Sequence, residues 1–359
     1  MPALCALLLE SCSGAVDSPA PRPAAFVQPF LNSSVAAHRS SSAFPNLYVL
    51  NSTLLDFPIQ GFLGPGGRGS PSVTAYSPGS TTVLRTVSSG LAAPSTLAFD
   101  ASGNLYVANC GTPCQAGGTG NSISVFAAGS TATARTITSG VNGPVSLAFD
   151  KSGNLYVANM DGNSVTVYAA GGTSPIRTIT SGVTGPASLT FDRSGDLYVA
   201  NTIGSVTVYA PGKSSVLRTI RQGIDLPIRL ASDAKGAVYV ANYFANTITV
   251  YRSGKTAPAQ AISRGISSPL SLAFDPSGNL YVANINNTIA VYAPGKTSPS
   301  RIISDGLSVP QSLAFDASGN LFVVNTFAGT VTAYAPGSSS PFETISQGLL
   351  FPIALAFGP

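Results

Sequence analysis

Leu97-Ala-Phe-Asp-Ala-Ser-Gly-Asn-Leu-Tyr-Val-Ala-Asn109 organises the reading of the whole chain. Two short apolar runs, Leu97 to Phe99 and Leu105 to Ala108, flank the polar segment Asp100-Ala-Ser-Gly-Asn104. Short β-branched and aromatic runs around such a segment read as a hairpin. The Asp carboxylate can accept turn amides, and Gly103 can take positive φ. Further on, Ile123 to Phe126 reads as a third strand and Arg135 to Ile137 as a fourth. These strands are called a, b, c and d in chain order.

The unit recurs. The Asn that ends strand b falls at Asn51, Asn109, Asn159, Asn201, Asn242, Asn284 and Asn325, and from Asn159 onward the interval is 41 or 42 residues. Four strands at this period describe a propeller blade, so residues 45–359 are expected to form an all-β, seven-bladed β-propeller. The first copy starts at strand b (Leu47 to Leu50), while the chain finishes on Pro352-Ile-Ala-Leu-Ala-Phe357, a strand a with no strand b after it. Residues 353–357 are therefore expected to pair beside 47–51, closing the ring through the C-terminal strand and leaving no open edge. Pro-Gly at 78–79, 211–212, 294–295 and 336–337 suits type II turns between c and d.

Composition agrees with many short strands and tight turns. Of 359 residues, 44% are hydrophobic and only 9% charged, with 37 Gly, 27 Pro and no Trp. The net charge of +4 comes from 18 scattered Lys and Arg, with no basic run to track a phosphate backbone, so nucleic acid is not an expected partner. Residues 1–12, with an apolar run from Ala3 to Leu9 ahead of Cys12, resemble a lipoprotein signal sequence. Residues 13–44, rich in Ala, Ser and Pro, read as a tether. This leader points to export to the periplasm, cell surface or exterior, with Cys12 as the lipidation site and the only membrane attachment of a monomeric protein. Cys110 and Cys114, in the compact run Cys-Gly-Thr-Pro-Cys, then read as a local disulfide.

Asp-x-Ser-Gly-Asn-Leu-Tyr-Val-Ala-Asn resembles the NHL repeat, and Tyr-Val-Ala-Asn followed by Ser-Val-Thr-Val-Tyr resembles the YVTN repeat of surface propellers. The resemblance covers residues 45–359 and implies architecture. Both families are defined by blade residues, not by a chemical site, so no activity comes with it.

Loop lengths single out one face. From the Asn ending b to the aromatic residue ending c the count is 25 in blade 1, 17 in blade 2, and 8 or 9 in the other five; every other segment is constant. With strand a innermost, the b–c and d–a loops share one face, which is therefore the expected ligand face. A residue present in all seven blades is best explained by the blade, whereas one present once is the better ligand candidate. That filter selects Arg229, which replaces a small residue on strand a of blade 5, and Met160, Tyr243, Phe244 and Phe327, which follow the repeated Asn. Asn242, beside the blade 5 aromatics, joins them as a mouth-lining amide. The blade 1 insertion, with Leu54, Leu55, Phe57, Ile59 and Phe62, reads as a cap or partner-binding flap. The Arg residues that start strand d are read as charges protecting an outer edge.

Acid–base groups are few. The only His is His38, in the tether, and the only Glu residues are Glu10 and Glu343. No His-based catalytic constellation can form inside the ring. The repeated Asp residues read as turn formers, leaving Asp161, Asp225 and Asp305 near the variable face. Two of these with Asn amides would make a weak Ca²⁺ site. The expectation is a non-catalytic binding or scaffolding propeller with no required cofactor, recognising a protein, glycan or small ligand. The alternative is a hydrolase or lyase with an Asp/Asn metal site, related in fold to the SMP-30 lactonases and virginiamycin B lyase.

Overall fold

The computed structural model describes residues 46–52, 70–110 and 121–359. They form 28 strands in seven four-stranded antiparallel sheets, a seven-bladed β-propeller. Blade 2 shows the pattern: β4 (Pro94–Phe99), β5 (Leu105–Asn109), β6 (Ser122–Phe126) and β7 (Thr133–Ile137) are strands a to d, paired in that order. Strand a begins three residues earlier than the apolar pattern suggests, at a proline in every blade. Proline is tolerated as the first residue of a strand, where a donor is dispensable. A bulge follows it, with Pro94 opposite Asn109 but Thr96 opposite Ala108.

Blade 1 is closed as expected. Its sheet runs β28 (Pro352–Gly358), β1 (Asn46–Asn51), β2 (Ser72–Tyr76) and β3 (Val83–Val87). Leu47 lies opposite Phe357, Val49 opposite Leu355 and Leu50 opposite Ala354. The a strands of adjacent blades touch one another around the ring, so strand a is innermost and strand d is the outer edge.

Seven apolar clusters hold the blades together, and each sits at a seam between neighbours. Ile123 and Tyr106 of blade 2 pack with Leu147 and Leu155 of blade 3. At the closing seam Val324 and Val331 of blade 7 pack with Val49 and Leu355 of blade 1. Full burial of each such side chain is worth about 1.5–3 kcal/mol, so a missing strand costs two seams at once. The leader, tether, Cys12, Cys114 and the Leu54 to Phe62 insertion lie outside the described residues.

Candidate functional site

The face carrying the b–c and d–a loops is called the upper face; the a–b and c–d turns form the lower face. The upper face is built on the repeated Asn. Each Asn Oδ1 accepts a backbone N–H from the d–a loop that leads into its own blade: Ala92 to Asn109, Asn142 to Asn159, Thr184 to Asn201, Asp225 to Asn242, Ser267 to Asn284, Ser308 to Asn325 and Leu350 to Asn51. Each Nδ2 donates to Ser or Thr hydroxyls on strand c, as from Asn159 to Thr166 Oγ1 at 2.7 Å, or to a loop carbonyl, as from Asn284 to Gly265. All seven side chains are buried. Asn242 belongs to this set: its amide is occupied by Asp225, Thr247 and Thr249, below the surface where a mouth-lining ligand group would stand.

The next residue is held by its backbone to the same d–a loop. The N–H groups of Met160, Thr202, Tyr243 and Thr326 donate to Gly143, Gly185, Leu226 and Val309. In blades 4 to 7 the residue after that is released to solvent. At this position Ile203 of blade 4 is 70% exposed, Phe244 of blade 5 is 54% and Phe327 of blade 7 is 55%. Ile285 of blade 6 and Leu350, in the loop entering blade 1, are also exposed on this face. Tyr243 supports Phe244 edge-to-face, with ring centroids 5.6 Å apart, and Phe327 leans on buried Phe351 at 6.3 Å. Burial raises the Tyr243 hydroxyl above the usual phenol range, so this ring is a neutral support.

The five upper-face residues thus run round one arc, from blade 4 to the entry of blade 1. Sequence reasoning singled out Tyr243, Phe244 and Phe327 and missed Ile203, Ile285 and Leu350. An isolated aliphatic residue beside a strand end looks like core. Only the shared loop position, two residues beyond the repeated Asn, could have flagged Ile203. Met160 is half-buried and packs against the seam between blades 3 and 4.

Arg229 is buried, not exposed. It lies on strand a of blade 5, opposite Ala241, and is only 3% exposed, with Nη1 donating to the Ile228 carbonyl at 2.9 Å. Burial lowers its pKa to about 9, which leaves a cation at neutral pH. In blades 2, 3, 4, 6 and 7 this slot holds a small hydroxyl residue, and three of them tie adjacent inner strands. Ser146, Ser188 and Ser312 accept the N–H groups of Leu189, Leu230 and Leu355. Ser232 is accounted for separately, since its hydroxyl donates to the Phe191 carbonyl of blade 4.

Asp161 is half-buried in the b–c loop of blade 3, and burial raises its carboxyl above the usual range. Asp225 and Asp305 lie in d–a loops of other blades. Among the described residues no three His, Cys, Asp or Glu side chains come together. Cys110 is buried and disulfide-bonded.

The lower face repeats more strictly. Asp100 Oδ1 accepts the N–H groups of Ser102 and Asn104 at 2.9 Å, and Gly103 has φ +81°. The same carboxylate-to-amide pattern recurs at Asp150, Asp192, Asp233, Asp275 and Asp316. The outer-strand arginines do more than guard an edge. Arg85, Arg135, Arg177, Arg218 and Arg301 each stack on the strand b Tyr of the same blade, 5.2–6.0 Å from the ring centroid. Each also donates to that Tyr hydroxyl.

No model of a known protein family matches the chain, and no curated protein matches it.

Proposed function

We propose that this chain is an exported, non-catalytic binding propeller of the NHL or YVTN repeat type, using its upper face to recognise a protein, glycan or small ligand. One observation carries the reading: Ile203, Phe244 and Phe327 stand exposed at one loop position while the Asn two residues before each is buried. Large apolar groups kept in water at a repeated loop position mark a contact surface, and aromatic residues supply most of the energy at such surfaces. The disulfide at Cys110 supports export, because such bonds persist in oxidising compartments. Lipid attachment at Cys12 is part of the proposal, and a Cys12→Ala variant tests it by moving from the detergent to the aqueous phase on partitioning.

Glycan and peptide arrays probed with the wild-type chain and with a Phe244→Ser/Phe327→Ser variant test the binding reading. Both chains should unfold at the same temperature. Ligands retained by the wild type should lose about 2 kcal/mol, roughly thirtyfold, in the variant. Array ligands that bind both proteins equally, or none that binds the wild type, would contradict it.

A further inference from the structure

The lower face carries a second site, defined by what two blades lack. In blades 1, 3 and 6 a guanidinium fills the space between the strand b Tyr and the c–d turn of the next blade. Arg85 Nη1 donates to the Gly129 carbonyl of blade 2 at 3.1 Å, and Arg177 Nη1 to Gly212 of blade 4 at 2.8 Å. Arg301 Nη1 approaches Gly337 of blade 7 in the same way. Blade 5 has Gln260 at this position, whose amide still donates to Gly295 of blade 6 at 3.3 Å. Blade 7 has Glu343 in place of Arg and Phe322 in place of Tyr.

A cleft of the lower rim falls at each of these two seams. One, of about 220 Å³, is lined by Tyr239, Gln260 and Gly295. The larger, about 430 Å³ and open to solvent, is lined by Phe322, Glu343 and Asp316 of blade 7 and by Ser77 to Ser80 of blade 1. Its chemistry is that of the filled seams with the arginine taken out and the charge reversed. An aromatic face and the turn of Gly79 remain, the Glu343 carboxylate stands where the guanidinium would be, and Asp316 is the turn aspartate found at this place in other blades, held by Ser318 and Asn320. Among the described residues Glu343 has no cationic partner; the ion pair that forms is Arg218 with Asp196, in blade 4.

We propose that the cleft between blades 7 and 1 is a receptor for a guanidinium group, presented as an arginine side chain of a partner polypeptide. The internal arginines specify the occupant: all five are planar cations stacked on a ring, and Arg85 and Arg177 turn one edge to the carbonyl of the neighbouring turn, while in this cleft the other edge meets Glu343. The site is independent of the upper face, so Phe244→Ser should leave it unchanged.

The test uses N-acetyl-arginine methylamide as probe, followed through the amide resonances of Gly79, Ser80 and Ser318. Saturable shifts confined to these residues are expected, with the citrulline and lysine analogues at least about tenfold weaker. Glu343→Gln should weaken binding about tenfold. Phe322→Tyr/Glu343→Arg rebuilds the internal stack, and should raise the unfolding temperature and abolish the shifts. If that double variant does not fold, Glu343→Gln decides alone. Absence of saturable shifts, equal binding of the citrulline or lysine analogue, or undiminished binding by Glu343→Gln would overturn the proposal.

Discussion

The two faces of the ring obey different rules. On the lower face one pattern repeats, with an Asp that ties the a–b hairpin in blades 2 to 7 and, in five blades, an Arg stacked on a Tyr that braces the outer rim. Departures are few, and the two blades that lack the Arg open clefts at their seams. On the upper face the repeated Asn does an equally uniform job, yet two residues later the chain carries Asp161, Ile203, Phe244, Asn286 and Phe327 in successive blades. A ring needs sameness to close. A ligand, which touches only part of a ring, needs difference, and the difference is concentrated on the upper face.

The comparison can be broken most severely at the closure, which both faces share. Deleting residues 352–359 removes the inner strand of blade 1, including Ile353 and Leu355, both fully buried. The expected outcome is loss of a cooperative unfolding transition by circular dichroism. A truncated chain that unfolds as the full one does would show that the seam is dispensable.

Within the upper face, Asn159→Ala should cost about 2–3 kcal/mol in urea unfolding, because it strands the Asn142 N–H and removes the amide that donates to Thr166 and to the Gly140 carbonyl. On the lower face Arg177→Ala should cost less, about 1 kcal/mol. The stack on Tyr156 and the bond to Gly212 are both partly exposed to solvent.

The smallest effect expected is at Asp161. Burial raises its folded-state pKa above 3.8, so the native state holds the proton more tightly, and stability falls as pH rises through the window above 3.8. Asp161→Asn removes that slope. The variant and wild type should be equally stable at low pH, with the variant gaining up to about 0.5 kcal/mol near neutrality. A difference that shrinks as pH rises would reverse the sign of the account.

The fold was legible because the blade states itself seven times and the chain ends on the strand its beginning lacks. Turn chemistry was equally plain, since Asp100 and Gly103 do locally what their types favour. Two features were out of reach. Arg229 is one residue in a strand of apolar neighbours, and only the packing of inner strands shows that its slot is buried. The outer arginines read as edge charges because their stacking partner, the strand b Tyr, lies 29 residues away in blade 2, from Tyr106 to Arg135. The pairing register that joins them is a product of the folded sheet. For the same reason Glu343 reads as an ordinary surface charge until its slot is seen to hold arginine in five other blades.

The claim that repeated residues serve the ring while singular ones serve a ligand is tested most directly two residues apart in one loop. Asn242→Ala and Phe244→Ser should be measured side by side for urea stability and for binding to the same array. The account predicts that Asn242→Ala loses about 2–3 kcal/mol of stability, while Phe244→Ser stays within about 0.5 kcal/mol of wild type and loses array binding. A Phe244→Ser chain that is destabilised as much as Asn242→Ala, or that keeps full binding, would contradict it.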